Sequence, residues 1–128
     1  MGATGAGQVI FDTGGLLAVE RADPRMTALL MLLGDEPIHI PTVVVGQAWR
    51  DGRRQARLAR LLKQRNVSCQ DLTLDDAKAA GVLLGLSGTD DVVDAAVIVA
   101  WRRHGGRIIT SDADDMRVLD TIADVHPI

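Results

Sequence analysis

The chain alternates short apolar runs with longer segments whose apolar residues return every three or four positions. Gln8-Val9-Ile10-Phe11-Asp12, Ile38-His39-Ile40 within 36–41, 66–72, Arg107-Ile108-Ile109-Thr110 and a last run around 122–125 read as strands. Thr13-Gly14-Gly15 turns the first strand into Leu16-Leu17-Ala18-Val19. Asp23-Pro24 is a helix start, Asp as cap and Pro at the first helical position, and this helix runs to Gly34. Thr42 is the expected cap of a helix carrying Val43, Val44, Val45, Gln47 and Trp49, and Thr73 opens another that ends near Gly85. A short helix is expected at 116–119. Strands alternating with helices predict an α/β fold with a mainly parallel central sheet.

One helical segment is apolar nearly all the way round. From Val92 to Trp101 it reads as buried, with Thr89 or Asp90 as cap and Arg102-Arg103-His104-Gly105-Gly106 as its stop. Asp94 lies inside it, and Asp91 shares its face three residues earlier. A carboxylate facing an apolar interior costs several kcal/mol, roughly, unless it is paired, protonated or bound to a cation. The neighbour here is a second negative charge. The plainer reading makes Asp90 and Asp91 caps and leaves Asp94 on a backbone N–H.

The 128 residues, 47% hydrophobic, suffice for one domain with a core of Leu, Val, Ile and Ala. That domain is expected over 8–128, with the Gly/Ala-rich residues 1–7 as a flexible tail. No apolar run has the length of a membrane span, and no basic-then-apolar leader is visible. The single Cys69 excludes an internal disulfide and a cysteine zinc cage, which suits a reducing, cytoplasmic setting.

The net charge of −3 hides an asymmetry. Arg50, Arg53, Arg54, Arg57 and Arg60 step along one face if 50–65 is a helix, with Leu58, Leu61 and Leu62 as its apolar stripe. Such a face is often merely solvated, but no acid follows Asp51 in the segment, and an Arg stripe suits phosphates or an acidic partner. His39 reads as a packing or surface residue, with no second histidine placed to help it.

The acids gather differently. Asp12, Asp94 with Asp91, and Asp112 with Asp115 come from three segments, two of them at strand ends, where open α/β sheets bind ligands. Oxygen donors without cysteine or a histidine pair favour Mg2+ or Mn2+ over zinc. A hard cation in a carboxylate nest serves to activate water and to neutralise a phosphodiester under attack. The Arg stripe would hold the polyanion beside it.

Asp12-Thr13 at the first strand end, Val93-Asp94-Ala95-Ala96 in the apolar helix and Thr110-Ser111-Asp112-Ala113-Asp114-Asp115 after a late strand, in that order, resemble the PIN domain, and most of all VapC-type toxins. The likeness spans Val9 to Val125. It implies a three-layer α/β fold and a Mg2+- or Mn2+-dependent ribonuclease acting on tRNA- or rRNA-like targets. It also implies a homodimer held by a VapB-like antitoxin. By motif match Asp12, Asp94 and Asp112 are the metal-site and catalytic acids, Asp91 and Asp115 further ligand candidates, and Thr13, Ser111 and Gln47 auxiliary residues. One position departs: where the family usually has Glu in a Glu-x-x-Arg pattern, this chain reads Gln47-Ala48-Trp49-Arg50. An amide brings no charge and is no base, so a catalytically weak PIN domain that only binds RNA or antitoxin is the alternative. A phosphorelay receiver needs a lysine after a late strand, and a haloacid-dehalogenase-like phosphatase needs Asp-x-Asp at the first strand. Neither pattern is present.

Overall fold

In the computed structural model, which describes residues 8–128, five strands form one all-parallel sheet in the order β3-β2-β1-β4-β5. The strands are β1 (Val9–Phe11), β2 (Ile38–Pro41), β3 (Val67–Gln70), β4 (Arg107–Thr110) and β5 (Val125–Pro127). The proposed tail, 1–7, lies outside the described residues. Ile10, Phe11, Ile38, Ile40, Ile108 and Ile109 are fully buried, as befits parallel strands covered on both faces. The last strand starts where its expected run ends, and Ile122 is an exposed turn residue.

The helices are α1 (Thr13–Glu20), α2 (Pro24–Leu33), α3 (Thr42–Ala48), α4 (Ala56–Leu62), α5 (Leu74–Ser87), α6 (Val92–His104) and α7 (Ala113–Leu119). The chain first moves outward from β1 to β2 and β3, then crosses back to β4 and β5. Right-handed crossovers therefore put α1 to α4 on one face and α5 to α7 on the other. Most of the packing agrees: α1 lies on α3 and α4, and α6 crosses β1, β2 and β4 and packs on α5 and α7, while α3, which starts directly at the end of β2, also meets α6. Three layers result.

Local signals act as expected at several ends. Asp23 caps α2 with Pro24 behind it, and Thr73 forms a reciprocal capping box with Asp76. Gly105, at φ 72°, ends α6. Other ends differ. Thr13-Gly14-Gly15 is the first turn of α1 and not a preceding loop. Thr42 is the first residue of α3; its hydroxyl donates to the Gln70 carbonyl at 3.3 Å and caps nothing. Nor is 50–65 one helix. The chain leaves α3 after Ala48, loops through 49–55 and begins α4 at Ala56, so of the five arginines only Arg57 and Arg60 are helical. His39 also has a histidine neighbour: its ring stacks on His104 at 5.2 Å, with Gln8 and Ser68 on its two nitrogens. Burial, then the His104 charge, pushes its pKa down.

Candidate active site

The sheet order reverses between β1 and β4, and ligands of open α/β sheets bind beyond the carboxyl ends of strands at such a switch point. Asp12 leaves β1 there and Asp112 follows β4. The two turns are held against each other. The Asp12 N–H donates to the Ile109 carbonyl at 3.2 Å. A Cβ on Gly14 would lie 2.0 Å from Ser111 Oγ and 2.9 Å from its Cβ, so α1 can start against β4 only with glycine there.

Asp12 is 3% exposed, and its Oδ1 accepts the Gly15 N–H at 2.8 Å as the N-cap of α1. Burial raises its pKa, the Thr110 hydroxyl and the Gly15 amide oppose that, and the Asp112 charge adds to the rise. Thr110, itself fully buried, also accepts the Asp112 N–H on Oγ1 at 2.8 Å. This threonine therefore touches both strand-end acids. The sequence reading did not assign it a role, although a buried hydroxyl at a strand end between acids is a usable signal.

Asp91 caps α6, as the plainer reading had it and in place of Thr89 or Asp90, and its Oδ1 accepts the N–H groups of Val93 and Asp94, each at 3.0 Å. One turn on, the Asp94 carboxyl is pushed up to about 7, by burial first and then by Asp91, Asp12, Asp115 and Asp112. Four carboxylates from three segments thus act on a fifth. A cleft of about 250 Å³ between α6 and α7 is lined by Asp90, Asp91, Asp94 and Asp115, with Thr89, Val118 and Leu119. Among the described residues no arginine, lysine or histidine is ion-paired with Asp12, Asp91, Asp94, Asp112 or Asp115, whereas Asp76, Asp120 and Asp124 at other places meet Arg103, Arg102 and Arg107.

The donor set, carboxylate oxygens only, fits a hard divalent cation. Among the described residues, however, no three His, Cys, Asp or Glu side chains stand close enough together to hold a metal ion as they are. The cluster is a convergence of charge and not a finished cage.

Gln47 lies at the margin of the site. Its Oε1 accepts the Thr13 hydroxyl next to Asp12, and the residue is exposed. Ser111 is exposed over Gly14. Beyond Gln47, Arg50 donates to the Trp49 and Gly46 carbonyls at 2.7 and 3.4 Å. Arg53 and Arg54 sit on the loop and are exposed. Arg57 and Arg60 belong to a different place, an apolar groove of about 460 Å³ between α2 and α4 lined by Met26, Leu30, Met31 and Leu61. The five arginines are two groups. The turn dipeptide Asp51-Gly52 was the signal for the break between α3 and α4.

No model of a known protein family matches the sequence, and no curated protein matches it. Solved structures do match. A toxin–antitoxin complex from Klebsiella pneumoniae superposes with a TM-score of 0.72 at 15% identity, over 94% of this chain and 99% of that one. VapBC2 of Rickettsia felis, bound to a promoter DNA fragment, gives 0.67 at 14% identity over 94% and 98%. VapC20 of Mycobacterium tuberculosis, a toxin that cleaves the sarcin–ricin loop, gives 0.63 at 20% identity over 78% and 86%. The fold is PIN-like. At these identities the likeness concerns the backbone, and the PIN-like fold explains why acids far apart in sequence meet: its switch point lies between β1 and β4, and its crossing helix α6 starts above them. Among the described residues no helix is long and apolar enough to cross a membrane.

Proposed function

We propose that this chain is a Mg2+- or Mn2+-dependent endoribonuclease, the toxin of a cytoplasmic toxin–antitoxin pair, acting as a homodimer on tRNA- or rRNA-like RNA. The observation that carries this reading is the convergence of five acids without a counter-ion at the switch point, felt as the raised Asp94. The fold it shares with toxins, one of them cleaving the sarcin–ricin loop, supports it.

In this reading Asp12, Asp94 and Asp112 hold the cation, with Asp115 and Asp91 beside it. Such a cation supplies water activation and charge neutralisation at a phosphodiester. The rest falls to the chain's own groups. The Gly15 amide fixes the Asp12 carboxylate, and Thr110 fixes the strand-end turn that carries Asp112. Without the cation the Asp94 carboxyl is pushed up to about 7 by burial and its acidic neighbours, and a cation held there would favour its ionised form. Thr13 and Gln47 form the neutral wall opposite, and Ser111 the polar lip. Arg50, Arg53 and Arg54 face the RNA backbone. Arg57 and Arg60 beside the apolar groove suit an acidic amphipathic segment of a VapB-like antitoxin.

The test is cleavage of a structured RNA by the purified chain, with Mg2+ or Mn2+ and with EDTA. Cleavage should need the divalent ion, and Asp12→Asn or Asp94→Asn should lower it about 100-fold or more, as expected when a group acting on the transition state is lost. Cleavage that ignores EDTA, or persists in both variants, sinks the assignment. A second reading, a binding module with little activity, is favoured by one observation: Gln47 occupies the site margin without a charge. It predicts RNA binding with no cleavage at any divalent concentration.

A further inference from the structure

The loop 49–55 owes its shape to one buried side chain. Gln55 is 9% exposed; its Oε1 accepts the N–H groups of Arg50 and Asp51 at 2.7 and 3.0 Å, and its Nε2 donates to the Ala48 carbonyl at 2.9 Å. A single amide thereby joins the end of α3 to the two residues that follow Trp49. The Asp51 carbonyl accepts from Arg54 and Gln55, both at 3.0 Å, and the Asp51 carboxylate accepts the Arg53 N–H at 3.0 Å. Gly52 passes so near the Trp49 ring that a Cβ would meet it at 3.0 Å.

These bonds use main chain, Gln55 and the Asp51 carboxylate; the Arg50 guanidinium adds its own bond to the Trp49 carbonyl at 2.7 Å. The Arg53 side chain is 93% exposed, with only the Asp51 carboxylate near it at 3.6 Å. The Arg50 guanidinium lies over the Gly46 carbonyl, one residue from Gln47, whose amide meets Thr13 beside Asp12. The bonded loop is thus linked to the acid-bearing turn through Gln47 and Thr13, and among the described residues its arginines form no ion pair with those acids. A polyanion that places one phosphate over the acids brings its neighbours to this loop. Holding the cations in place before binding avoids the ordering cost that a floppy arginine segment would incur.

We infer that 49–55 is a preformed clamp for the RNA backbone and that Gln55 is the positioning residue that sets where Arg50, Arg53 and Arg54 stand. This rests on the reading of RNA as substrate. It differs from the expectation of one continuous helical stripe, because the clamp excludes Arg57 and Arg60.

The experiment measures binding of a fluorescently labelled hairpin RNA to the full chain in EDTA, across a salt series. Arg53→Ala/Arg54→Ala alters only exposed side chains; it should lower affinity about 10-fold at low salt and flatten the salt slope by about two phosphate contacts. Gln55→Leu, similar in size but unable to bond the loop, should weaken binding with a shallower slope. Added to Arg50→Ala/Arg53→Ala/Arg54→Ala, it should weaken binding little further, because no clamp arginine is left for it to position. A purely structural glutamine would instead show a full additive loss. That result, or wild-type binding by Arg53→Ala/Arg54→Ala, overturns the clamp, the latter even if Gln55→Leu does not fold. Wild-type protein that binds no RNA shows a different failure, that of the ribonuclease reading itself, and removes the clamp with it.

Discussion

Asp91 holds Asp94 by the backbone and repels it by the side chain. The same Oδ1 that accepts the Asp94 N–H at 3.0 Å carries the charge that, after burial, does most to lift the Asp94 carboxyl to about 7. The helix start is stabilised and the second acid destabilised by one residue.

That arrangement has a pH signature. Asp94 has its folded pKa raised above the ordinary 3.8, so the folded chain binds the proton more tightly than the unfolded one. Its contribution to stability is therefore present below pH 3.8 and is lost as pH climbs to about 7. Asp94→Asn, which cannot ionise, should gain on wild type across that window, by about 2 kcal/mol at pH 7.5 in EDTA once water access to the carboxyl is allowed for. Urea melts at pH 4.5, 6 and 7.5 measure the difference. A gap independent of pH would show that Asp94 is not strained by its neighbours.

Divalent ions should act in the opposite sense. Millimolar Mg2+ or Mn2+ should raise the melting temperature of wild type by mass action, since a folded site gains a ligand that the unfolded chain lacks. Asp94→Asn should lose that response. Calorimetry with and without Mn2+ decides it, and an undiminished response in the variant would place the ion elsewhere.

Gln47→Glu adds a carboxylate where Thr13 already donates a hydroxyl, with almost no change of shape. Divalent affinity should rise by roughly 1–3 kcal/mol at moderate screening, and the activity curve should move to lower Mg2+. Titration of activity in both proteins reads this directly. An unmoved curve means that position 47 lies outside the cation's reach.

Gly14→Ala tests the contact that brings the two acid-bearing turns together. Its Cβ would fall 2.0 Å from Ser111 Oγ, so the turn after β4 must shift. We expect a loss of about 1–3 kcal/mol in stability from overpacking, together with weaker divalent binding. Adding Ser111→Gly should recover much of both. Wild-type stability in Gly14→Ala would mean that the turns accommodate each other freely.

What the sequence determined by itself was everything governed by neighbours within a turn or two. Asp23 with Pro24, Thr73 with Asp76, and Gly105 act over one to four residues, and the buried run 95–99 declared the crossing helix through its lack of a polar face. The alternation of elements was enough for a parallel α/β sheet. Asp12, Asp94 and Asp112 were visible as acids in apolar surroundings or at strand ends. Tertiary structure alone decided what depends on residues meeting from afar. The His39–His104 stack joins a strand to the end of a helix 65 positions later, and Thr110 reaches both strand-end acids only because β1 and β4 are neighbours. The arginine segment shows the same division within a few residues. Its three- and four-residue spacing satisfies a helix, but burying the Gln55 amide on three main-chain groups of 48–51 stabilises a loop instead, and a hydrophobic-polar pattern does not register a hydrogen bond that only a bent chain can make.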